Sequence, residues 1–385
     1  MQEGIKPRAR SDIYYSDVFM KRKKGYWIIG CKETDSQLLV DGNSIEGFKR
    51  LLSLMDGNRT VEELSGKAFG SVQELEKVIE VFTAKGFLEG TICTEKFNEV
   101  ERISVKFFKY KFGIFPQHIH HVCKRLVKVF YLLFIVLLLA SIVVTVCNYQ
   151  TLDKLTILSV ISYKDISFLG SIKGYILILI FGLLMGTLHE IAHVGVSLKN
   201  GCQPSYVSGV LHLGFIPMVY VKQKNIYSLK RKHIFEVLLA GIMMNFLLFM
   251  LFYNLFFITH IEILKLFAVS NLRLVYMNLL PLSLTDGYYI FSLLVRRPNL
   301  RMNFFRCLAT PGFFKKAEKD IKVYVVIYLF ALFFGFNLEL LIIIRMLNFN
   351  NEFIIGLVIV VNLIYIYILH LVNRMKFRKS EINFS

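Results

Sequence analysis

The most informative stretch of the sequence is residues 175–198, YILILIFGLLMGTLHEIAHVGVSL, an apolar run long enough to cross a membrane as one helix. Its second half contains the pattern His-Glu-x-x-His, formed by His189, Glu190 and His193. Helical spacing places the two histidines one turn apart on the same face, where two imidazoles can bind one Zn²⁺. Glu190 lies beside them, in position to take a proton from a water that the metal activates. The stretch therefore predicts a zinc site within a membrane-spanning helix.

The surroundings of this pattern distinguish a metal site from a chance match. His-Glu-x-x-His is short enough to recur by accident, and in a soluble helix the same residues would simply face water. Here the flanking residues are almost all apolar. Because ionisable side chains at membrane depth are costly, they usually have a partner or a function. The apolar setting favours the zinc interpretation.

Composition also indicates a membrane protein. The 385 residues are 55% hydrophobic, with a mean hydropathy of +0.53 and a formal net charge of +18. Such an excess of positive charge suits nucleic acid or anionic lipid, but most Lys and Arg flank apolar runs, so lipid is expected and nucleic acid is not. The six cysteines form no CxxC pair, which predicts reduced thiols. Residues 1–24 are polar and basic, which argues against an N-terminal signal peptide.

The N-terminal residues 1–104 are predicted to form a small α+β winged-helix-like cytosolic domain. Two short strands, at 26–31 and 36–40, precede a helix at 44–55, and two capping boxes, at 60–63 and 71–74, open two further helices. A last short strand is expected at 87–89, after Gly86. The third helix carries Glu74, Glu76 and Glu80 against Lys77 and Lys85, and such a face would repel DNA.

The remainder of the chain predicts six apolar spans with both termini in the cytoplasm. The spans are 129–147, 175–198, 234–258, a fourth that ends near 290, 323–344 and 353–372. Basic residues concentrate after the second span, after the fourth and in the C-terminal tail, which places these segments inside the cell. The predicted fold class is thus an all-α polytopic cell-membrane protein with about six transmembrane helices and the N-terminal domain. Residues 105–128 form a basic, amphipathic interfacial linker on the lipid, 129–291 the transmembrane core with the zinc site, and 292–385 a basic cytosolic loop with the C-terminal transmembrane pair.

The fourth span supplies a candidate third ligand for the metal. Pro281 cannot continue a helical hydrogen-bond ladder, so it is expected to kink or unwind the span. Asp286 is the one carboxylate in this run and lies near the cytoplasmic end, at a depth that suits His189 and His193. Catalytic zinc usually has three protein ligands and one position left for water. Taken alone, Asp286 and Gly287 would also fit a turn at the membrane edge.

These residues together resemble the site-2 protease family of intramembrane zinc metalloproteases. That family joins HExxH to a later Asn-Pro-x-Pro-x-x-x-x-Asp-Gly motif, and the Asn, second Pro, Asp and Gly match here as Asn278, Pro281, Asp286 and Gly287. The family's first Pro is Leu279 here, and the Leu often found before the Asp is Thr285. Residues 240–245 resemble its Gly-x-x-x-Asn element, ending in Asn245.

The resemblance covers about residues 172–291 and implies a zinc metallopeptidase. It implies His189, His193 and Asp286 as zinc ligands, with Glu190 as general base and then acid to the leaving amine. Asn278 and Asn245 are candidates for binding and orienting the substrate. Between the motifs, residues 206–221 alternate in polarity as strands do, and in similar proteases this region forms a hairpin or sheet beside the active site.

Residues 25–90 resemble the PqqD-like peptide-recognition domains of ribosomally made peptide pathways. The pattern lies in Leu39–Gly42, Asp56–Leu64 and the closing Lys85–Leu88. Such domains bind a leader peptide as an added β-strand, so the resemblance implies a precursor-peptide substrate and, as possible partners, a peptide-modifying enzyme or an exporter. A folded domain without a ligand is the alternative.

Two other functions stay open on the sequence alone. In the first, the chemistry is the same but the substrate is a membrane-bound signalling protein, which is cleaved by regulated intramembrane proteolysis. The other is a non-catalytic membrane receptor or export partner for a peptide, with a vestigial metal site. The presence of Glu190 argues against the second, because a purely structural metal site needs no base.

The six-span arrangement predicts which side of the membrane each connection faces. Reporter fusions after Lys230 and after Lys316 are expected to report cytoplasm, and a fusion near Asp165 the exterior, because the basic connections stay inside. The measurement is the activity of reporters that work on only one side of the membrane. An exterior signal at Lys230 would contradict the six spans and the placement of the histidines.

Overall fold

The computed structural model describes residues 6–21, 24–68, 71–91, 104–148, 172–212, 216–282, 285–310 and 312–346. Within these ranges the protein is mostly helical, with two small antiparallel sheets. The chain separates into two compact units. The first contains residues 1–127, 193–237 and 296–298, and the second contains residues 128–192, 238–295 and 299–385.

The N-terminal part of the first unit is a sheet with three short helices. The strands β1 (Ile13–Lys21), β2 (Lys24–Cys31) and β3 (Ser36–Asp41) pair in the order β1-β2-β3. The helices are α1 (Ile45–Leu54), α2 (Val61–Ala68) and α3 (Val72–Ala84). Their apolar faces close one core, whose fully buried members include Ile29, Leu51, Leu64, Leu75, Phe82 and Phe87. The two predicted strands at 26–31 and 36–40 and the three predicted helices of this region are present.

The predicted helix starts are confirmed by their hydrogen bonds. Thr60 and Glu63 bond each other's backbone amide through their side chains, the reciprocal pattern of a capping box. Ser71 accepts from the amide of Glu74 at the start of α3.

Two features of this region differ from the sequence prediction. Strand β1 was not predicted, although it supplies one edge of the sheet. The expected strand at 87–89 is reduced to a single bridge between Leu88 and Ala9, flanked by backbone hydrogen bonds. The pairing partner comes from the chain's start, so local patterning could not reveal it. The winged-helix description of this body stays a prediction.

The second sheet, also in the first unit, joins segments far apart in the chain. Its strands β4 (Ser104–Lys111), β5 (Pro204–His212) and β6 (Ile216–Gln223) pair antiparallel in the order β4-β5-β6. Strands β5 and β6 confirm the predicted strand character of residues 206–212 and 216–221, while residues 213–215 lie outside the described residues. Strand β4 begins the segment that the sequence marked as an interfacial linker, and it exposes the aromatic side chains of Phe107 and Tyr110.

The turn between β2 and β3 is bound to the second sheet. The carboxylate of Asp35 accepts from the amide of Asn225 at 2.7 Å and pairs with Lys222 Nζ at 2.7 Å. Asn225 returns a hydrogen bond from Nδ2 to the carbonyl of Lys32, also at 2.7 Å. The N-terminal body is therefore fixed to β6 and the residues after it through a buried polar junction.

Three helices are long and apolar enough to cross a membrane. They are α4 (Gln117–Cys147), α5 (Ile172–Lys199) and α6 (Arg231–Thr259). In α5, the candidate span is the part from Leu179 to Lys199. They correspond to the first three predicted spans and support a membrane protein. The other three spans are not established in this way, and the sixth lies outside the described residues.

The fourth predicted span is two helices rather than one. Helix α7 (Glu262–Leu279) ends before Pro281, and helix α8 (Asp286–Val295) begins at the candidate ligand. The helices α9 (Leu300–Ala309), α10 (Phe313–Lys316) and α11 (Lys319–Met346) follow. Proline removes one backbone donor and crowds the preceding turn, so the interruption lies where the sequence predicted it. The cysteines among the described residues form no disulfide bond; they are Cys31, Cys123, Cys147, Cys202 and Cys307.

Candidate metal centre

Helix α5 presents the two histidines and the glutamate together, as the helical spacing predicted. Potential ligand atoms of His189, Glu190 and His193 all lie within 4.8 Å of one another. Both histidines are 7% exposed, and Glu190 is half-buried. Two imidazoles and a carboxylate oxygen at this spacing are a set of donors that one metal ion could share.

Asp286 reaches the same histidine from a different helix. Its Oδ2 lies 3.1 Å from Nε2 of His189, and both side chains are mostly buried. Two ligands of one tetrahedral zinc, each about 2.0–2.1 Å from the metal, stand roughly 3.3 Å apart. The observed separation therefore fits two groups that share an ion. The structure brings together His189, His193, Glu190 and Asp286, which are the four residues that the sequence selected for metal binding and for the base.

The second ring nitrogen of His193 is held by the backbone. Nδ1 lies 2.6 Å from the carbonyl oxygen of Val237, at the start of α6. A carbonyl only accepts, so Nδ1 carries the hydrogen, and in the neutral ring Nε2 keeps its lone pair. This is the arrangement that fixes a histidine as a metal ligand through Nε2.

Asn245 contacts Nδ1 of the other ring, that of His189. Its Nδ2 lies 3.0 Å from His189 Nδ1, and the residue is 1% exposed. As placed, the amide donates to Nδ1, which leaves the ring hydrogen on Nε2, facing Asp286. Binding a metal through Nε2 requires the other tautomer, with Nδ1–H as donor. Asn245 meets that need by turning its amide over, since Oδ1 has no other hydrogen-bond partner among the described residues.

The two asparagines that the sequence proposed for substrate binding lie in different settings. Asn245 contacts a candidate ligand. Asn278 lies half-buried in the last turn of α7, where its backbone carbonyl packs against Gly287. Sequence patterns do not predict the contact between Asn245 and His189, or the contact between His193 and the carbonyl of Val237. Both depend on how α6 packs against α5.

Gly287 allows α8 to start directly against the end of α7. A Cβ at this position would lie 2.4 Å from the carbonyl oxygen of Leu279 and 2.7 Å from that of Asn278. Both contacts are to backbone atoms, which cannot rotate away as a side chain can. The close approach explains why glycine follows Asp286, and it fixes the position of the carboxylate relative to α7.

Comparison with known proteins returns no relative. No family model, no curated protein and no solved structure matches the chain. The resemblance to site-2 proteases and to PqqD-like domains therefore rests on the residues described above.

Gly287→Ala is expected to displace Asp286 and weaken metal binding by about 10–100-fold, the usual cost of disturbing a group that supports a ligand. The measurement is zinc per chain, and zinc retention against a chelator, for protein purified in detergent. Gly182→Ala on α5 is the matched control, because a Cβ there meets no atom within 4 Å. Equal zinc retention in the two variants would contradict a role for the close approach of α7 and α8.

Proposed function

We propose that the protein is a membrane-embedded zinc metallopeptidase that hydrolyses a peptide bond. The observation that carries the proposal is the meeting of two buried histidines on an apolar helix with a carboxylate from a second helix, 3.1 Å from one of the rings. Such a cluster of ionisable groups within apolar surroundings usually marks a functional site. A six-span protein of the cell membrane, with both termini in the cytoplasm, is part of the same proposal.

The donor set fits zinc. Two imidazoles and one carboxylate are a common ligand set of hydrolytic zinc sites, which keep a further position open. Both rings have their Nδ1 atoms engaged, by Val237 and Asn245, so that the Nε2 atoms are the ones that would bind. His189, His193 and Asp286 would hold the ion. Bound there, zinc would polarise the scissile carbonyl and lower the pKa of the attacking water.

Glu190 is the proton carrier in this proposal. It lies one residue after His189, so its carboxylate stays beside the ligands without having to serve as one. It accepts a proton as water adds to the carbonyl carbon. It then returns that proton to the amide nitrogen as the carbon–nitrogen bond breaks, which leaves a carboxylate and an amine. The half-buried position of Glu190 provides both a low-dielectric setting and access for a proton.

The proposed substrate is a ribosomally made precursor peptide that the N-terminal domain recognises through its leader. Strand β3 pairs only with β2 in the sheet that the structure describes, so its outer edge has backbone groups available for an added strand. The acidic outer face of α3 supports a peptide partner over nucleic acid. An exporter or a peptide-modifying enzyme would complete such a pathway.

Anionic membrane lipid is the second proposed partner. Strand β4 exposes Phe107, Phe108 and Tyr110. Between Glu101 and Asp153 the sequence has no acidic residue, while lysines and two arginines, Arg102 and Arg125, recur up to the start of the first span. Aromatic rings beside cationic side chains suit the interface of a negatively charged leaflet, just before the chain enters the membrane.

Glu190→Gln is expected to lower the rate of peptide cleavage by about 10²–10⁴-fold, because it removes the base and leaves the ligands in place. Zinc content should stay near that of the parent protein. The assay is cleavage of a candidate precursor peptide that carries a leader, in membranes that contain equal amounts of each variant.

Glu262→Gln serves as the matched control for this substitution. Glu262 opens α7, is half-exposed and lies 3.9 Å from Lys265, so the same chemical change there should not alter cleavage. If Glu190→Gln cleaves as fast as the parent protein, the peptidase proposal is wrong. A protein that binds the peptide without cleaving it would then be a receptor or export partner.

The leader is expected to raise kcat/KM mainly by lowering KM, because strand addition contributes binding remote from the scissile bond. The measurement compares the same peptide with and without its leader on the full-length protein. Changing the substrate is the cleaner test, since deleting the N-terminal body would also remove the partners of Lys222 and Asn225. Equal kinetic constants for the two peptides would remove leader recognition from the proposal.

A further inference from the structure

The interruption between α7 and α8 places side-chain hydroxyls against a run of backbone carbonyls, two of which also accept from backbone amides, Leu280 from Leu282 at 2.8 Å and Leu282 from Thr285 at 3.4 Å. Oγ1 of Thr285 lies 2.7 Å from the carbonyl oxygen of Leu280 and 2.7 Å from that of Leu282. The carbonyl between them, of Pro281, accepts from the hydroxyl of Tyr324 at 3.3 Å. Three consecutive carbonyls thus have a hydroxyl group within hydrogen-bonding distance.

These hydroxyls answer a specific requirement of the broken helix. The last carbonyls of a helix have no partner within it, and Pro281 cannot supply an amide hydrogen. In apolar surroundings such groups must be satisfied by the protein itself, because no water is available. Non-helical backbone is tolerated there only when neighbouring side chains meet this demand.

Thr285 acts on both sides of the interruption. Besides its contacts with the carbonyls before it, Oγ1 accepts from the amide of Tyr288 at 3.4 Å. That bond joins the residue before α8 to the third residue of the helix, which is the usual N-cap arrangement. One side chain therefore links the unwound segment to the helix whose first residue is Asp286.

Tyr324 connects the same segment to α11. The residue is fully buried, and its ring lies 6.2 Å from that of Tyr288 and 5.7 Å from that of Phe291, both on α8. Its hydroxyl and its ring thus contact the interruption and the following helix at once. Through these contacts, α11 supports the helix that begins at Asp286.

We propose that Thr285 and Tyr324 are positioning residues of the metal centre, which hold Asp286 at the correct distance from His189 through the hydroxyl contacts with residues 280–282. The inference rests on the proposed function in one respect, that Asp286 is a metal ligand. It adds that the third ligand is oriented by two groups that never contact the metal or the substrate. Asp286 is the first residue of α8, so the contacts of residues 280–282 and of Thr285 set its place.

The test measures metal binding in the full-length protein, in detergent or in lipid nanodiscs. The probes are Zn²⁺ affinity by competition with a chelator, and the visible absorption spectrum of bound Co²⁺, which reports coordination number and geometry. Thr285→Val and Tyr324→Phe each remove one hydroxyl and keep the shape of the side chain. Each is expected to weaken Zn²⁺ binding by about 10–100-fold and to alter the Co²⁺ spectrum.

Two further variants separate positioning from general stability. Thr285→Ser keeps the hydroxyl and should bind zinc as the parent protein does. Tyr253→Phe removes another intramembrane hydroxyl contact, the 2.8 Å pair with Thr145 that joins α6 to α4, and should leave the Co²⁺ spectrum unchanged. If Tyr253→Phe weakens zinc binding as much as Tyr324→Phe does, the effect is one of stability and the proposal is overturned.

Asp286→Asn distinguishes failure of this inference from failure of the proposed function. If Asp286→Asn loses zinc while Thr285→Val and Tyr324→Phe bind as the parent protein does, the positioning role is wrong and the ligand set stands. If Asp286→Asn itself binds zinc with unchanged affinity, the ligand set is wrong, and the positioning role fails with it.

Discussion

The contact between His189 and Asp286 is the constraint on which the second unit depends. It joins a ring on α5 to a carboxylate on α8 across 3.1 Å. Both groups are largely withdrawn from water, and a buried carboxylate without a partner is strongly disfavoured. The pair therefore requires that the two helices be held at a fixed separation. It also requires that α8 begin at Asp286, so that the carboxylate projects from a helix end.

The interrupted helix follows from that requirement. A continuous helix over residues 262–295 would carry Asp286 on its side, at a position set by the helix rather than by the site. Pro281 stops α7, and Gly287 lets α8 approach its last carbonyls without a clash. Thr285 and Tyr324 then place hydroxyl groups against the carbonyls of residues 280–282, in addition to the backbone amides that reach two of them. Each departure from a regular helix is thus accompanied by a contact from a particular neighbouring residue.

Local patterns in the sequence accounted for a large part of this structure. The capping boxes, the apolar helices, the two strands at 206–221 and the interruption at Pro281 depend on residues close in the chain, and all are present. The pattern also selected Asp286, because it is the one carboxylate in its span. Such local patterns could not predict contacts between residues that are far apart in the chain. Strand β4 joins β5 across about a hundred residues, and Tyr324 reaches Pro281 across 43 residues. The contact between Asn245 and His189 could not be predicted for the same reason, because it joins two helices and no periodic pattern in the sequence relates the two residues.

Thr285 shows how a departure from a family pattern acquires a physical meaning. Where the resembling family often has leucine before the aspartate, this chain has a residue that donates and accepts. A leucine would add apolar area and leave the carbonyls of Leu280 and Leu282 to other partners. The threonine instead caps α8 and contacts two carbonyls of the preceding segment with the same hydroxyl. The family also has a proline where this chain has Leu279, and that residue here still completes α7. Because this chain has one proline fewer in the segment, the side-chain hydroxyls contribute more to fixing its backbone and thereby the position of Asp286.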